Sequence, residues 1–199
     1  MTALPTEAKI ALATLLSYAI GCVCTGYYLV KIRTGKDIRA LGSGSVGARN
    51  VGRLLGRPGF LITLLGDAAK GSLAVWLTQK LSADPWAASI AIVAVVLGHI
   101  YPAQLNLRGG RGVGPLLGAL LAFDYRLLLA VGAATGLLFA LARSFTLSGM
   151  IAIVLLPFGA WVLKAGHPTV IALAVAALPI VWAHRKRLSD ILRRRRTHP

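Results

Sequence analysis

Apolar residues run in long blocks along this chain, at 10–29, 59–79, 86–107, 113–123, 127–142, 147–163 and 168–183, separated by short polar stretches. The blocks are continuously apolar instead of alternating with period two. Most of them approach the roughly 20 residues that a helix needs to cross a 30 Å hydrocarbon core. Backbone polar groups in lipid must be satisfied within the segment, which leaves helices as the open-ended solution. The pattern predicts an all-α, polytopic membrane bundle of about seven transmembrane helices, with residues 1–199 forming one integral membrane domain. Segment 113–123 is short, rising only about 16 Å as a helix. The alternative is one helix over 113–142, which would carry Asp124 and Arg126 through lipid and change the side of every later loop.

Charge placement decides between these. Seven crossings put seventeen of the 22 Lys and Arg on one side and four on the other, with Lys70 inside a span. The positive-inside rule assigns the rich side to the cytoplasm. The N-terminus is then outside, the C-terminus is cytoplasmic, and the cytoplasmic pieces are loops at about 31–57, 108–112 and 143–146 and a tail at 184–199. At 56% hydrophobic and 14% charged, with mean hydropathy +0.72, the chain has no stretch suited to a soluble domain. The net charge of +16 follows from this topology and from attraction to anionic membrane lipids, so no nucleic-acid partner is called for. The run Arg193 to Arg196 reads as a lipid-hugging end. Cys22 and Cys24 are two apart on an expected helix and point about 200° away from each other, which suits small buried residues and neither a disulfide nor a metal. The strongly basic loop after the first block marks a retained span and not a cleaved signal.

The chemistry gathers in the loops. Arg108-Gly109-Gly110-Arg111-Gly112 combines two guanidiniums with backbone that anions can approach closely, and reads as a phosphate cradle. The first loop holds Gly42-Ser43-Gly44-Ser45 and then Arg49, Asn50 and Arg53. From Val46 to Leu55 it suits a helix on the membrane surface, with Arg49 and Arg53 at i, i+4 able to clamp a phosphate. His99 stands just before the glycine loop and His184 at the mouth of the last span, where an imidazole could orient or activate a substrate hydroxyl. Asp67 and Lys70, at i, i+3 inside the second span, suit an intramembrane pair that tethers helices.

These pieces, in this order, resemble the bacterial acyl-phosphate:glycerol-3-phosphate acyltransferase family of the PlsY type. The resemblance runs through Gly21 to Gly26, Asp37-Ile38-Arg39, Gly42-Ser43-Gly44, Gly47-Ala48, Asn50-Val51, Arg53, Asp67, Lys70-Gly71, Gly98-His99, Arg108 to Val113, Arg143 and His184-Arg185. It implies a seven-helix enzyme of the bacterial inner membrane, with its active site facing the cytoplasm. Such an enzyme moves a fatty acyl group from acyl phosphate to the 1-hydroxyl of glycerol 3-phosphate, without a cofactor or metal. By position it implies catalytic roles for Ser43 and His184. Binding roles fall to Arg53, Asn50, Ser45, His99, Arg108, Gly109, Gly110, Arg111 and Gly112. A monomer is the simplest expectation. Acyl phosphate is already activated, so Ser43 is expected as a hydrogen-bond donor and not as a nucleophile.

The chain also departs from the family pattern. Ser45 and Arg49 stand where Asn and Thr are usual, and His-Arg-Glu-Asn becomes His184-Arg185-Lys186-Arg187. A retuned or catalytically silent relative is therefore an alternative. A small anion transporter is another, although no inverted repeat supports it.

Overall fold

The computed structural model describes residues 4–197, with side chains as far as Arg193, so Arg194 to Arg196 of the expected lipid-hugging tail lie outside the described side chains. Among the described residues all regular structure is helical: α1 (Thr6–Cys22), α2 (Thr25–Thr34), α3 (Ala48–Leu81), α4 (Pro85–Ile100), α5 (Val113–Phe123), α6 (Tyr125–Ala142), α7 (Phe145–Val162) and α8 (His167–Thr197), with 3-10 turns at Ile38–Ala40 and Ala103–Leu105. Six stretches are long and apolar enough to cross a membrane: Thr6–Thr34, Ala48–Leu81, Pro85–Leu105, Tyr125–Ala142, Phe145–Val162 and His167–Arg193. The chain is a multi-pass membrane protein.

The seventh apolar segment, α5, stands alone. The single helix over 113–142 does not form, because Asp124 leaves helical geometry at φ −159° and caps α6, accepting from the Arg126 N–H at 2.9 Å. Short as it is, α5 has different neighbours at its two ends. Its C-terminal Phe123 shares one end with the turns at Ser82–Pro85 and Ala165–Pro168, while the loop before it lies with Ser43 and His184 at the other. That loop makes up the missing length. It folds back on the last turn of α4, Gly109 donating to the Ile100 carbonyl at 3.0 Å and Gly110 to that of His99 at 2.9 Å, so α5 starts level with the inside of α4.

The first span breaks between Cys22 and Thr25, where a continuous helix was expected. Carbonyls freed by the break find side-chain donors: Lys70 Nζ reaches those of Gly21 (2.9 Å) and Val23 (2.7 Å), and Gln104 Nε2 reaches that of Cys22 (2.5 Å). Broken helices survive in lipid only when neighbours satisfy the released backbone in this way. Both cysteines are buried and free, as expected for small packing residues. The surface helix predicted at 46–55 begins at Ala48 and joins the second span through Gly56, whose φ 70° and ψ −166° are accessible to essentially glycine alone. The block read as 86–107 stops being α-helical at Ile100.

The core runs through α4, whose Ile92, Val95 and Val96 are buried against Leu116 and Leu120 of α5, Leu127 of α6, Ile153 of α7 and Leu173 and Ile180 of α8. Backbone contact replaces side-chain packing between α3 and α5. A Cβ on Gly71 would run into the Pro115 carbonyl, and one on Gly118 into that of Ala68. Small residues permit such approach where helices have no hydrophobic drive to associate. Outward-facing Leu129, Leu137, Leu141, Phe158 and Leu178 remain exposed, as lipid-facing positions should.

Candidate active site

The first loop is assembled by its own polar groups. Asp37 accepts from the Arg39 backbone N–H at 2.8 Å and pairs with the Arg39 guanidinium, whose Nη2 lies 2.7 Å from Oδ2. Hydrogen bonding from Arg39, reinforced by its charge, holds the Asp37 carboxyl below the usual carboxylate range. Arg39 Nη1 also donates to the Leu105 carbonyl at 2.7 Å, which pins this loop to the turn after α4.

Beyond it, Asn50 is buried and fully engaged. Its Nδ2 donates to the carbonyls of Leu41 and Ser45, both at 2.9 Å, and its Oδ1 accepts from the Ser43 N–H at 3.0 Å. Expected as a phosphate ligand, Asn50 instead shapes the loop that presents Ser43 and Ser45. Among the described residues no histidine or carboxylate hydrogen-bonds either serine, so the base that a serine nucleophile requires is missing there.

The glycine loop also differs from a simple cradle. The N–H groups of Gly109 and Gly110 are taken by α4, and Arg108 is exposed. Arg111, Gly112, Val113 and Gly114 line the cavity instead, so the backbone that could meet an anion is the first turn of α5, where helix N–H groups lack intrahelical partners. Burial, together with the neighbouring charges of Arg187 and Arg53, pulls the Arg111 guanidinium below its ordinary range.

The two histidines are held in different ways. His184 Nδ1 lies 2.8 Å from the Ile180 carbonyl, which can only accept, so the ring donates from Nδ1 and leaves the Nε2 lone pair available. His99 Nδ1 faces Lys70 Nζ at 2.9 Å, with Asp67 Oδ1 at 3.7 Å, and its Nε2 edge abuts Gly110, where a Cβ would collide with the ring. Lys70 and Asp67 form the expected ion pair at 3.2 Å, and the lysine's bonds to α1 make it the helix tether that was anticipated.

These pieces frame one cavity of about 540 Å³, which only some of the residues above line. Of the residues singled out from sequence, Ser43, Ser45, Asn50, Arg53, His99, Arg111, Gly112 and His184 line it, whereas Arg108, Gly109 and Gly110 do not. Arg49, paired with Arg53 in the sequence by its i, i+4 spacing, also lines it, and Arg187 joins as a further guanidinium whose signal is its place three residues after His184. Arg49 is fixed by Thr146 Oγ1 at 3.0 Å and by the Phe145 ring at 5.8 Å, which ties the start of α3 to the start of α7. Lys186, by contrast, is exposed and outside the cavity lining. The opposite half of the cavity is apolar, walled by Phe60 and Leu64 of α3, Leu117 of α5, Val131 of α6 and Met150 and Ile153 of α7.

A cationic pocket continuous with an apolar groove, both inside a helical membrane bundle, defines a class: integral membrane proteins that bring a phosphorylated compound against a lipid chain. Residues 11–194 match the glycerol-3-phosphate acyltransferase family, and the chain belongs to it. It is 43% identical over 176 residues to glycerol-3-phosphate acyltransferase 1 of Desulfitobacterium hafniense (strain Y51), covering 88% of this chain and 87% of that protein. It is 37% identical over 186 residues to the glycerol-3-phosphate acyltransferase of Pseudomonas entomophila (strain L48), covering 92% and 96%. The crystal structure of PlsY (YgiH), an integral membrane glycerol 3-phosphate acyltransferase in its glycerol 3-phosphate form, superposes with a TM-score of 0.85 at 26% identity, covering 94% of this chain and 93% of that one.

Proposed function

We propose that this protein transfers a fatty acyl group from acyl phosphate to the 1-hydroxyl of glycerol 3-phosphate, releasing lysophosphatidate and inorganic phosphate. It does so as a monomer of the bacterial inner membrane, with its site open to the cytoplasm. The observation that carries this reading is the join of two unlike halves in one cavity: Arg49, Arg53, Arg111 and Arg187 at one end, and lipid-like walls of α3, α5, α6 and α7 at the other. The cationic end suits two phosphates, and the apolar end suits an acyl chain.

In this reading the arginines neutralise the phosphates of donor and acceptor and hold them together, which supplies most of the rate by positioning. His184 Nε2 accepts the proton of the acceptor's 1-hydroxyl. The hydroxyl oxygen attacks the acyl carbonyl, the bond from that carbon to the phosphate oxygen breaks, and phosphate leaves with the electron pair. Ser43 and the first turn of α5 donate to phosphate or to the developing oxyanion. Lys186 faces away from the reaction, and Arg187 adds a fourth cation, so the altered third motif is compatible with turnover.

The test uses purified protein in detergent with acyl phosphate and glycerol 3-phosphate, following lysophosphatidate and phosphate together. Both should form in equal amounts, and Arg53→Ala and Arg111→Ala should abolish both. If acyl phosphate and acyl-CoA each give no product while the protein carries anions across liposomes, the reading is wrong.

A further inference from the structure

Asp67, Lys70 and His99 form a charged cluster inside the bundle that the reaction above does not use. The three side chains come from α3 and α4 and are all nearly fully buried. Lysine has three N–H donors when charged, and three acceptors surround it at bonding distance: the carbonyls of Gly21 and Val23, and His99 Nδ1 at 2.9 Å. Asp67 Oδ1 lies at 3.2 Å but finds no hydrogen-bond partner. The carboxylate therefore faces Lys70 as a counter-charge, while all three N–H groups of the ammonium point elsewhere. An ammonium cannot accept, so His99 Nδ1 must. A neutral imidazole that accepts at Nδ1 carries its proton on Nε2. That edge lies against Gly110, beside Arg111 and the start of α5.

We propose that Lys70, with Asp67 as its counter-charge, is a positioning residue that locks His99 in the Nε2–H form, so that the last turn of α4 presents a neutral side-chain donor beside the glycine loop to the bound phosphate of glycerol 3-phosphate. The two cavity histidines then have opposite polarity. His99 donates from Nε2, whereas His184 donates backwards to Ile180 and offers a lone pair. One ring binds an anion without adding charge, and the other takes a proton. Lys70 sets the difference, because its N–H fills His99 Nδ1; a side chain at 70 that cannot donate would free Nδ1 to hold the ring proton. That change moves the imidazole proton away from the phosphate and leaves a lone pair facing it.

The proposal rests on the acyltransferase reading for its ligand, but one arm of its test needs no turnover. Full-length protein labelled with ¹⁵N-histidine, in detergent, is examined by ¹⁵N NMR, with His99 assigned by its loss in His99→Gln. The ring should show neutral imidazole protonated at Nε2, and adding inorganic phosphate or glycerol 3-phosphate should shift Nε2 and leave Nδ1 nearly unmoved. In Lys70→Met, which keeps the length of the side chain and removes the donor to Nδ1, the proton should move to Nδ1. The KM for glycerol 3-phosphate should rise roughly tenfold, the usual consequence of losing a hydrogen bond to a charged group, with kcat within a few-fold of the parent. A resting His99 protonated at Nδ1 overturns the proposal, as does a Lys70→Met protein with parental KM and spectrum. Should Lys70→Met not fold, the spectrum of the parent protein and its response to phosphate decide alone. A protein that shows the Nε2–H form and the phosphate shift but no acyl transfer would refute the proposed reaction and leave the positioning intact.

Discussion

At the scale of single residues, the site works by fixing donors and acceptors in advance. His184 is locked by one bond to its own helix, and the lone pair left on Nε2 is the group the proposed reaction needs. His184→Gln keeps a polar side chain of similar size but cannot take a proton. It should lower kcat about a hundredfold or more while changing the KM for glycerol 3-phosphate little, a split that steady-state kinetics reads directly. Asp37 acts at a distance from the chemistry, holding the loop through Arg39. Its folded pKa lies below the ordinary 3.8, so the stability it contributes is present above that value and is lost as pH falls through the folded pKa. Asp37→Asn should therefore unfold at a lower temperature than the parent at pH 7, and the gap should narrow as the pH falls below the ordinary 3.8. Scanning fluorimetry in detergent measures it. A gap that stays constant with pH would mean that the charge at 37 contributes nothing.

At the scale of elements, the joints matter more than the spans. Gly56 connects the arginine-bearing turns of α3 to its membrane part in a conformation that other residues adopt only at about 1–3 kcal/mol. Gly56→Ala should swing Arg49 and Arg53 off the cavity, lowering activity severely while helical content stays constant by circular dichroism. The apolar wall has its own determinant. Gly132 and Gly136 of α6 and Gly149 of α7 line the cavity, and a Cβ on any of them would meet nothing within 4 Å. That space is what an acyl chain would fill. Gly136→Leu should raise the KM for long-chain acyl phosphates more than for short ones, and an equal effect on all chain lengths would place the chain elsewhere. The spans were legible from hydropathy because lipid forces each apolar block to be a helix. The joints were less so. The break at Cys22–Thr25 depends on Lys70 and Gln104, which come from other helices, and no local pattern announces that partners will arrive. Asn50 and Gly110 were noticed as residue types suited to phosphate. Their roles changed because burial in the fold determines whether an N–H is free, and composition cannot reveal that. The apolar half of the site was invisible for the same reason that the spans were obvious: inward-facing Leu64 or Met150 reads like any lipid-facing residue.

At the scale of the whole molecule, function depends on which side the cationic end of the cavity faces. The turns at Ser82–Pro85 and Ala165–Pro168 share one end with Phe123, and the arginine-lined loops share the other. The division of charge in the sequence calls for α5, with its eleven residues, as a seventh crossing beside the six longer spans, a topology we propose and test below. A bilayer reads that asymmetry during insertion, since basic loops stay on the cytoplasmic side. The proposed reaction calls for the same direction, because in it a soluble phosphate compound made inside the cell would reach Arg53 and Arg111 from there. Single cysteines test it in a background where Cys22 and Cys24, buried in the fold, are replaced by alanine. In intact cells whose outer barrier is permeabilised, a membrane-impermeant maleimide should label Ala83→Cys and Tyr125→Cys. Lys36→Cys should react only after the inner membrane is opened. Labelling at 83 without labelling at 125 would mean that α5 fails to cross, and labelling at 36 from outside would turn the cavity away from its proposed substrates.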